Sequence, residues 1–176
     1  MTTDASTSDE AAQGAGEQVW PEWVYPYPAG IIGGLLGGVA VAIVGLAYGL
    51  ISGNTWLPVN TVAATLLREM QQQTLADLSR FDLVALVVGG FLHITVAIAL
   101  GVLFSFILPA LPGRPLFWGP VIGPLLWVGA MVAGLPMLNP VMAANVEWVS
   151  FGLANVLYGL TLGWWIDRTP MIRVQG

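Results

Sequence analysis

Long apolar runs, separated by short polar breaks, set the plan of this chain. From Ala29 to Ile51 there is no charged side chain, and comparable runs extend from about Leu83 to Leu108, Pro115 to Leu135 and Val146 to Ile166. A bilayer core about 30 Å thick needs about 20 apolar residues rising 1.5 Å each. Backbone N–H and C=O groups in lipid must be satisfied within their own segment, so runs of this length read as helices. The pattern predicts an all-α fold: a four-transmembrane-helix bundle over residues 29–168, with helices at about 29–51, 83–108, 115–135 and 146–166. Residues 1–28 form an N-terminal tail and 169–176 a short C-terminal one.

The breaks differ in kind. Pro109-Ala-Leu-Pro-Gly-Arg-Pro115 is tight enough to fold helices two and three into an antiparallel hairpin. Asp82 or Ser79 can cap helix two. Helices three and four are joined through Pro136-Met-Leu-Asn-Pro140. The first connection, residues 52–81, is long enough to hold structure. Within it Val62, Leu66, Leu67, Met70, Thr74 and Leu78 recur at helical spacing, with Thr65, Arg68, Glu69, Gln71 and Gln72 on the other side. This spacing predicts an interfacial amphipathic helix between helices one and two. Ahead of the first span, residues 1–19 are small, polar and acidic, a composition that cannot bury a core of its own. Trp20-Pro-Glu-Trp-Val-Tyr-Pro-Tyr-Pro28 brings aromatic rings suited to the headgroup layer.

Composition sharpens this picture. The chain has 176 residues, 56% hydrophobic and 9% charged, against about 25% charged in soluble domains. Five of its ten acids lie in the first 22 residues, so the net charge of −5 belongs largely to the tail. All five basic residues are arginines, and they form no cluster able to follow a phosphate backbone, so nucleic acid is not an expected partner. There is no cysteine, which removes disulfides and thiolate chemistry. Residues 1–28 lack the basic start of a cleavable signal peptide, so the first span is expected to direct insertion. With four spans both termini share a side. That side carries Arg114, Arg168 and Arg173 against Arg68 and Arg80 on the other, which favours cytoplasmic termini in a bacterial inner membrane.

Few residues carry candidate chemistry. His93, the sole histidine, falls near the middle of helix two, where an ionisable group is a functional hypothesis by default. It could ligate haem or bond a quinone; as a structural residue it would bond Thr95, Ser105 or a carbonyl of a neighbouring helix. Gly30, Gly34 and Gly38 form one row on helix one, Gly33 and Gly37 a second, and Gly45 and Gly49 a third. Such rows admit a close helix neighbour, and their number points beyond bundle packing to another subunit. Trp56, Asn60, Arg80, Asp82, Glu147 and Trp148 could form an interfacial polar cluster; the simpler reading leaves the charges as solvated helix ends. Pro120 and Pro124 shape helix three. Tyr48-Gly-Leu50 returns as Tyr158-Gly-Leu160, and Leu57-Pro-Val-Asn60 echoes Leu135-Pro-Met-Leu-Asn139, matches too short to establish a repeat. No Walker lysine, nucleophile elbow, zinc motif or pair of buried carboxylates is present. No catalytic residue and no metal site is therefore expected.

Tyr48-Gly-Leu-Ile-Ser-Gly-Asn-Thr-Trp-Leu-Pro-Val-Asn60, the Leu108-Pro-x-Leu-Pro-x-Arg-Pro115 turn, Gly123-Pro-Leu-Leu-Trp127 and Asn139-Pro-Val141 carry a resemblance. The chain resembles small, uncharacterised four-helix proteins of bacterial membranes encoded near respiratory cytochrome and haem–copper oxidase genes. The resemblance covers most of the chain from residue 29 and rests on turn and packing residues. It implies a non-catalytic membrane subunit of an electron-transfer or respiratory complex. Such a subunit would support and anchor redox subunits, with other membrane subunits and lipids as partners. It would bind no cofactor alone, with lipid, quinone or haem contact confined to an interface. The alternative is a small homo-oligomeric channel or transporter with helix one facing a pore.

Overall fold

The computed structural model describes residues 23–173, and the acidic tail and Trp20 lie outside them. Strand β1 (Trp23–Val24) leads into helix α1 (Tyr27–Ile51). Pro26 and Pro28 pre-set its first turn, where a missing N–H costs nothing. The helix ends at Gly53, whose φ of +76° turns the chain in a conformation only glycine adopts freely. The first connection holds α2 (Leu57–Ala63), a 3₁₀ turn (Arg68–Gln72) and the single-turn α3 (Leu75–Leu78). Helix α4 (Leu83–Ile107) follows, capped by Asp82, which accepts from Ala85 N at 2.9 Å. A 3₁₀ turn (Leu108–Ala110) and Gly113, at φ +89°, reverse the chain into α5 (Pro115–Ala133). Short helices α6 (Leu135–Leu138) and α7 (Pro140–Asn145) lead to α8 (Trp148–Asp167), after which β2 (Ile172–Arg173) pairs antiparallel with β1. Helices α1, α4, α5 and α8 are long and apolar enough to cross a membrane. The chain is thus a multi-pass, all-helical membrane protein, with both ends of the described segment on one side.

The packing departs from the hairpin expected of the α4–α5 turn. Those two helices share little beyond the turn; α4 packs along α1, α5 along α8, and α1 and α8 join the two pairs. Small residues decide this. Gly30 and Gly34 lie against the backbone of Gly101, Val102, Ala97 and Ile98 on α4. Gly119 lies against the backbone of Gly159, and Gly163 against that of Pro115 and Leu116. Backbones that approach this closely gain dispersion along the whole contact, whereas a tight turn fixes only adjacency. The shared core of Ala97, Phe104, Leu108, Tyr158, Leu162 and Ile166 fills the interior at the α4–α5 turn end.

The interfacial amphipathic helix is not present as one element. A helix running from Asn60 to Leu78 would separate them by about 27 Å at 1.5 Å per residue. Instead Asn60 Nδ2 donates to Leu78 O at 2.8 Å and Arg80 O at 2.7 Å. The segment folds back on itself, and Ala63, Ala64, Met70 and Leu78 pack with Ala85 of α4 into a second apolar cluster. Of the six residues at that spacing Met70 and Leu78 are buried and Val62 and Leu67 partly so, whereas Leu66 and Thr74 are exposed.

Candidate functional site

The two connections on the side opposite the termini are bound together by amides. Asn139 is fully buried and donates through Nδ2 to Thr61 O at 2.6 Å and Thr65 Oγ1 at 2.8 Å. Its Oδ1 accepts from Met142 N and so caps α7. Gln71 Nε2 bridges Ala64 O at 2.7 Å and Leu138 O at 2.9 Å. The Leu-Pro echo therefore has a structural counterpart: each connection opens a short helix with Leu-Pro and buries an asparagine that bonds two acceptors. Composition gave no reason to single out Asn139 or Gln71. The signal at Asn139 was an amide between apolar neighbours, a group that must find a partner when buried.

Of the expected polar cluster, Asn60, Arg80 and Asp82 meet around a hollow of about 360 Å³ that Met70, Asp77 and Phe81 also line. Trp56 stands beside it, its ring edge-on to Phe81 at 4.9 Å. Glu147 and Trp148 do not line it. Glu147 instead caps α8, accepting from Val149 N at 3.0 Å and Ser150 N at 2.7 Å, bonds that hold its carboxyl below the ordinary glutamate value. Trp148 packs its ring against Phe151. Across the membrane, Arg114 makes a two-point ion pair with Asp167, fixing the start of α5 to the end of α8 and raising the Arg114 pKa. Burial, reinforced by the Asp167 charge, raises the Tyr25 pKa.

His93 reaches across to α1, its Nε2 2.8 Å from Gly38 O. A carbonyl can only accept, so Nε2 carries a proton and donates it. This is the neighbouring-helix carbonyl of the structural reading. Gly38 can receive it because both backbones stand close. The glycine rows themselves correct the subunit-contact expectation. Gly30, Gly34 and Gly38 face α4, Gly33 and Gly37 face Leu162 and Tyr158 of α8, and Gly49 packs on Asn54 and Thr55. Those six are buried inside the chain, leaving Gly45 half-exposed near Pro58. A helix with neighbours on two sides needs two small faces, and the chain supplies both neighbours itself. The gap at Gly37 also admits Tyr158, whose hydroxyl donates to Ala97 O at 2.6 Å.

Compared with protein-family models, curated proteins and solved structures, the chain matches none.

Among the described residues, four buried side-chain polar atoms have no hydrogen-bond partner: Asn60 Oδ1, Asn155 Oδ1, Trp127 Nε1 and Trp165 Nε1. Asn155 is buried in α8 and spends its Nδ2 on Phe151 O. Among the described residues no three histidine, aspartate or glutamate side chains converge to hold a metal ion.

Proposed function

We propose that this chain is a non-catalytic membrane subunit of a larger electron-transfer or respiratory assembly in a bacterial cytoplasmic membrane, supporting and anchoring redox subunits. The observation that carries the reading is where its polar chemistry goes. His93 closes α1 on α4, Asn139 and Gln71 join the connections, Asp82 and Glu147 cap helices, and Arg114 pairs with Asp167. Groups that in an enzyme or ion-coupled carrier would face substrate are here committed to holding four helices in place. The respiratory setting rests on the resemblance carried by the Tyr48–Asn60, Leu108–Pro115, Gly123–Trp127 and Asn139–Val141 segments. Because the glycine rows are covered within the chain, partner contact falls to the apolar outer faces, such as Leu35, Leu36, Val39 and Ile43 of α1. Any quinone or haem contact would lie there, between subunits. The termini are assigned to the cytoplasm by the arginine distribution.

The pore reading needs a small-residue face on α1 turned away from its own bundle, and six of its seven glycines are turned inward. Gentle solubilisation from the native membrane, followed by identification of co-migrating polypeptides, tests the choice. The subunit reading expects redox subunits in the same species. Recovery of the chain with itself alone would overturn it.

A further inference from the structure

The hollow beside Asn60 has no task in the packing of the helices, yet its chemistry is specific. Asp77 and Asp82 supply carboxylates and Arg80 a guanidinium, around a volume of about 360 Å³. Ligand pockets begin at roughly 300 Å³. Asn60, 1% exposed, lines the same hollow. Both of its amide hydrogens are spent on Leu78 O and Arg80 O, and its carboxamide oxygen has no donor. A buried acceptor left unmet is costly, and an arriving N–H would relieve it. The ion pair between Arg80 and Asp77 is loose, at 3.7 Å, with the arginine side chain 79% exposed. Such a pair contributes little and exchanges readily for a better anion. Asp82 spends Oδ1 on Ala85 N, while Thr74 Oγ1 donates to Asp77 Oδ2.

Position narrows the occupant. Asp82 caps a membrane span, which puts the hollow at the level of lipid headgroups. Along the helix below it Leu83, Val87 and Phe91 are exposed at intervals of four, a continuous apolar track. We infer that the hollow binds the phosphoethanolamine headgroup of a membrane phospholipid. The ammonium sits among Asp77, Asp82 and the Asn60 oxygen, the phosphate meets Arg80, and an acyl chain follows Leu83, Val87 and Phe91. A choline headgroup has no N–H to give the unmet oxygen. A glycerol headgroup brings its phosphate without the cation that would offset two carboxylates. The inference stands apart from the subunit reading, since it concerns only this chain and the bilayer.

The test is native mass spectrometry of the delipidated full chain, with ethanolamine, choline and glycerol phospholipids of identical acyl chains. The ethanolamine lipid is expected to be retained about tenfold more strongly than either other, the size of one charge-assisted hydrogen bond. The Asp77→Asn/Asp82→Asn double variant should lose that preference while keeping its helical content, because an amide at position 82 still caps α4. Arg80→Gln, at an exposed position that spares the fold, should lower retention of the ethanolamine lipid about tenfold. Soluble glycerophosphoethanolamine at the same concentration should leave bound lipid in place, since it lacks the chains. Equal retention of the three lipids, a preference for another headgroup, persistence of the preference in the double variant, or unchanged retention in Arg80→Gln would overturn the inference. Displacement by the soluble headgroup would overturn its assignment to a lipid.

Discussion

A methyl group placed at Gly34 would test the α1–α4 contact at its tightest point. It would stand 2.6 Å from Ala97 O and 2.9 Å from Ile98 Cα, both backbone atoms that cannot swing aside. Carbon and carbonyl oxygen rest no closer than about 3.3 Å, so the helices must part by roughly 0.7 Å. One turn along, His93 Nε2 donates to Gly38 O at 2.8 Å. The same separation would stretch that bond to about 3.5 Å, beyond useful hydrogen-bond range. Overpacking costs about 1–3 kcal/mol, and an interhelical hydrogen bond in a membrane protein is worth about 0.6 kcal/mol. Alanine returns up to about 1 kcal/mol of helix propensity. Gly34→Ala should therefore destabilise by about 0.5–2.5 kcal/mol. Gly90→Ala on α4 is the matched control, because nothing lies within 4 Å of its added methyl. It should be neutral or stabilise by up to about 1 kcal/mol. Unfolding by increasing sodium dodecyl sulfate in mixed micelles, followed by circular dichroism, compares the two. If Gly34→Ala unfolds at the same detergent fraction as Gly90→Ala, the close backbone contact is not what holds these helices.

Other consequences are separately measurable. Asn139→Leu removes both bonds to α2 and its neighbouring turn and the cap on α7. It should cost about 2–4 kcal/mol in the same assay and increase amide exchange across residues 57–72 more than along α5. Glu147 has a depressed pKa, so its capping contribution is complete above the ordinary glutamate value of about 4.3. That contribution is lost as pH falls through the lower folded value. Stability of the native chain should accordingly fall on acidification below about pH 4.3, and Glu147→Gln should remove that part of the slope. With His93 serving to join α1 to α4 through Gly38 O, the purified chain should show no Soret band after incubation with haem, whereas a bound-haem spectrum lost in His93→Gln would contradict that role.

The spans were legible because lipid imposes one rule on every residue. Apolar runs start and stop within about two residues of the helices Tyr27–Ile51, Leu83–Ile107, Pro115–Ala133 and Trp148–Asp167. Their pairing was not legible in the same way. A row such as Gly30-Gly34-Gly38 announces that a backbone comes close, but not whose. The α4–α5 turn suggested a hairpin, while Gly159 and Gly163, four apart on α8, were the signal that α5 packs there instead. The 52–81 connection misled for a related reason. Spacing found the buried Met70 and Leu78 but also took in the exposed Leu66 and Thr74, and the fold-back goes with Asn60 capturing the carbonyls of Leu78 and Arg80. No local propensity encodes that long-range bond. At the candidate site, Asn60, Arg80 and Asp82 share a membrane side in the sequence and line one hollow in the structure. Glu147 and Trp148 were placed with them only because helix ends on one side look alike in sequence.

The central claim is that this chain works as part of something larger than itself. Native mass spectrometry of the complex released gently from its own membrane tests that most directly. The expected result is a species containing the 18.6 kDa chain together with redox polypeptides and their absorbance. A species whose mass is a whole-number multiple of this chain, with no other polypeptide and no redox chromophore, would contradict it.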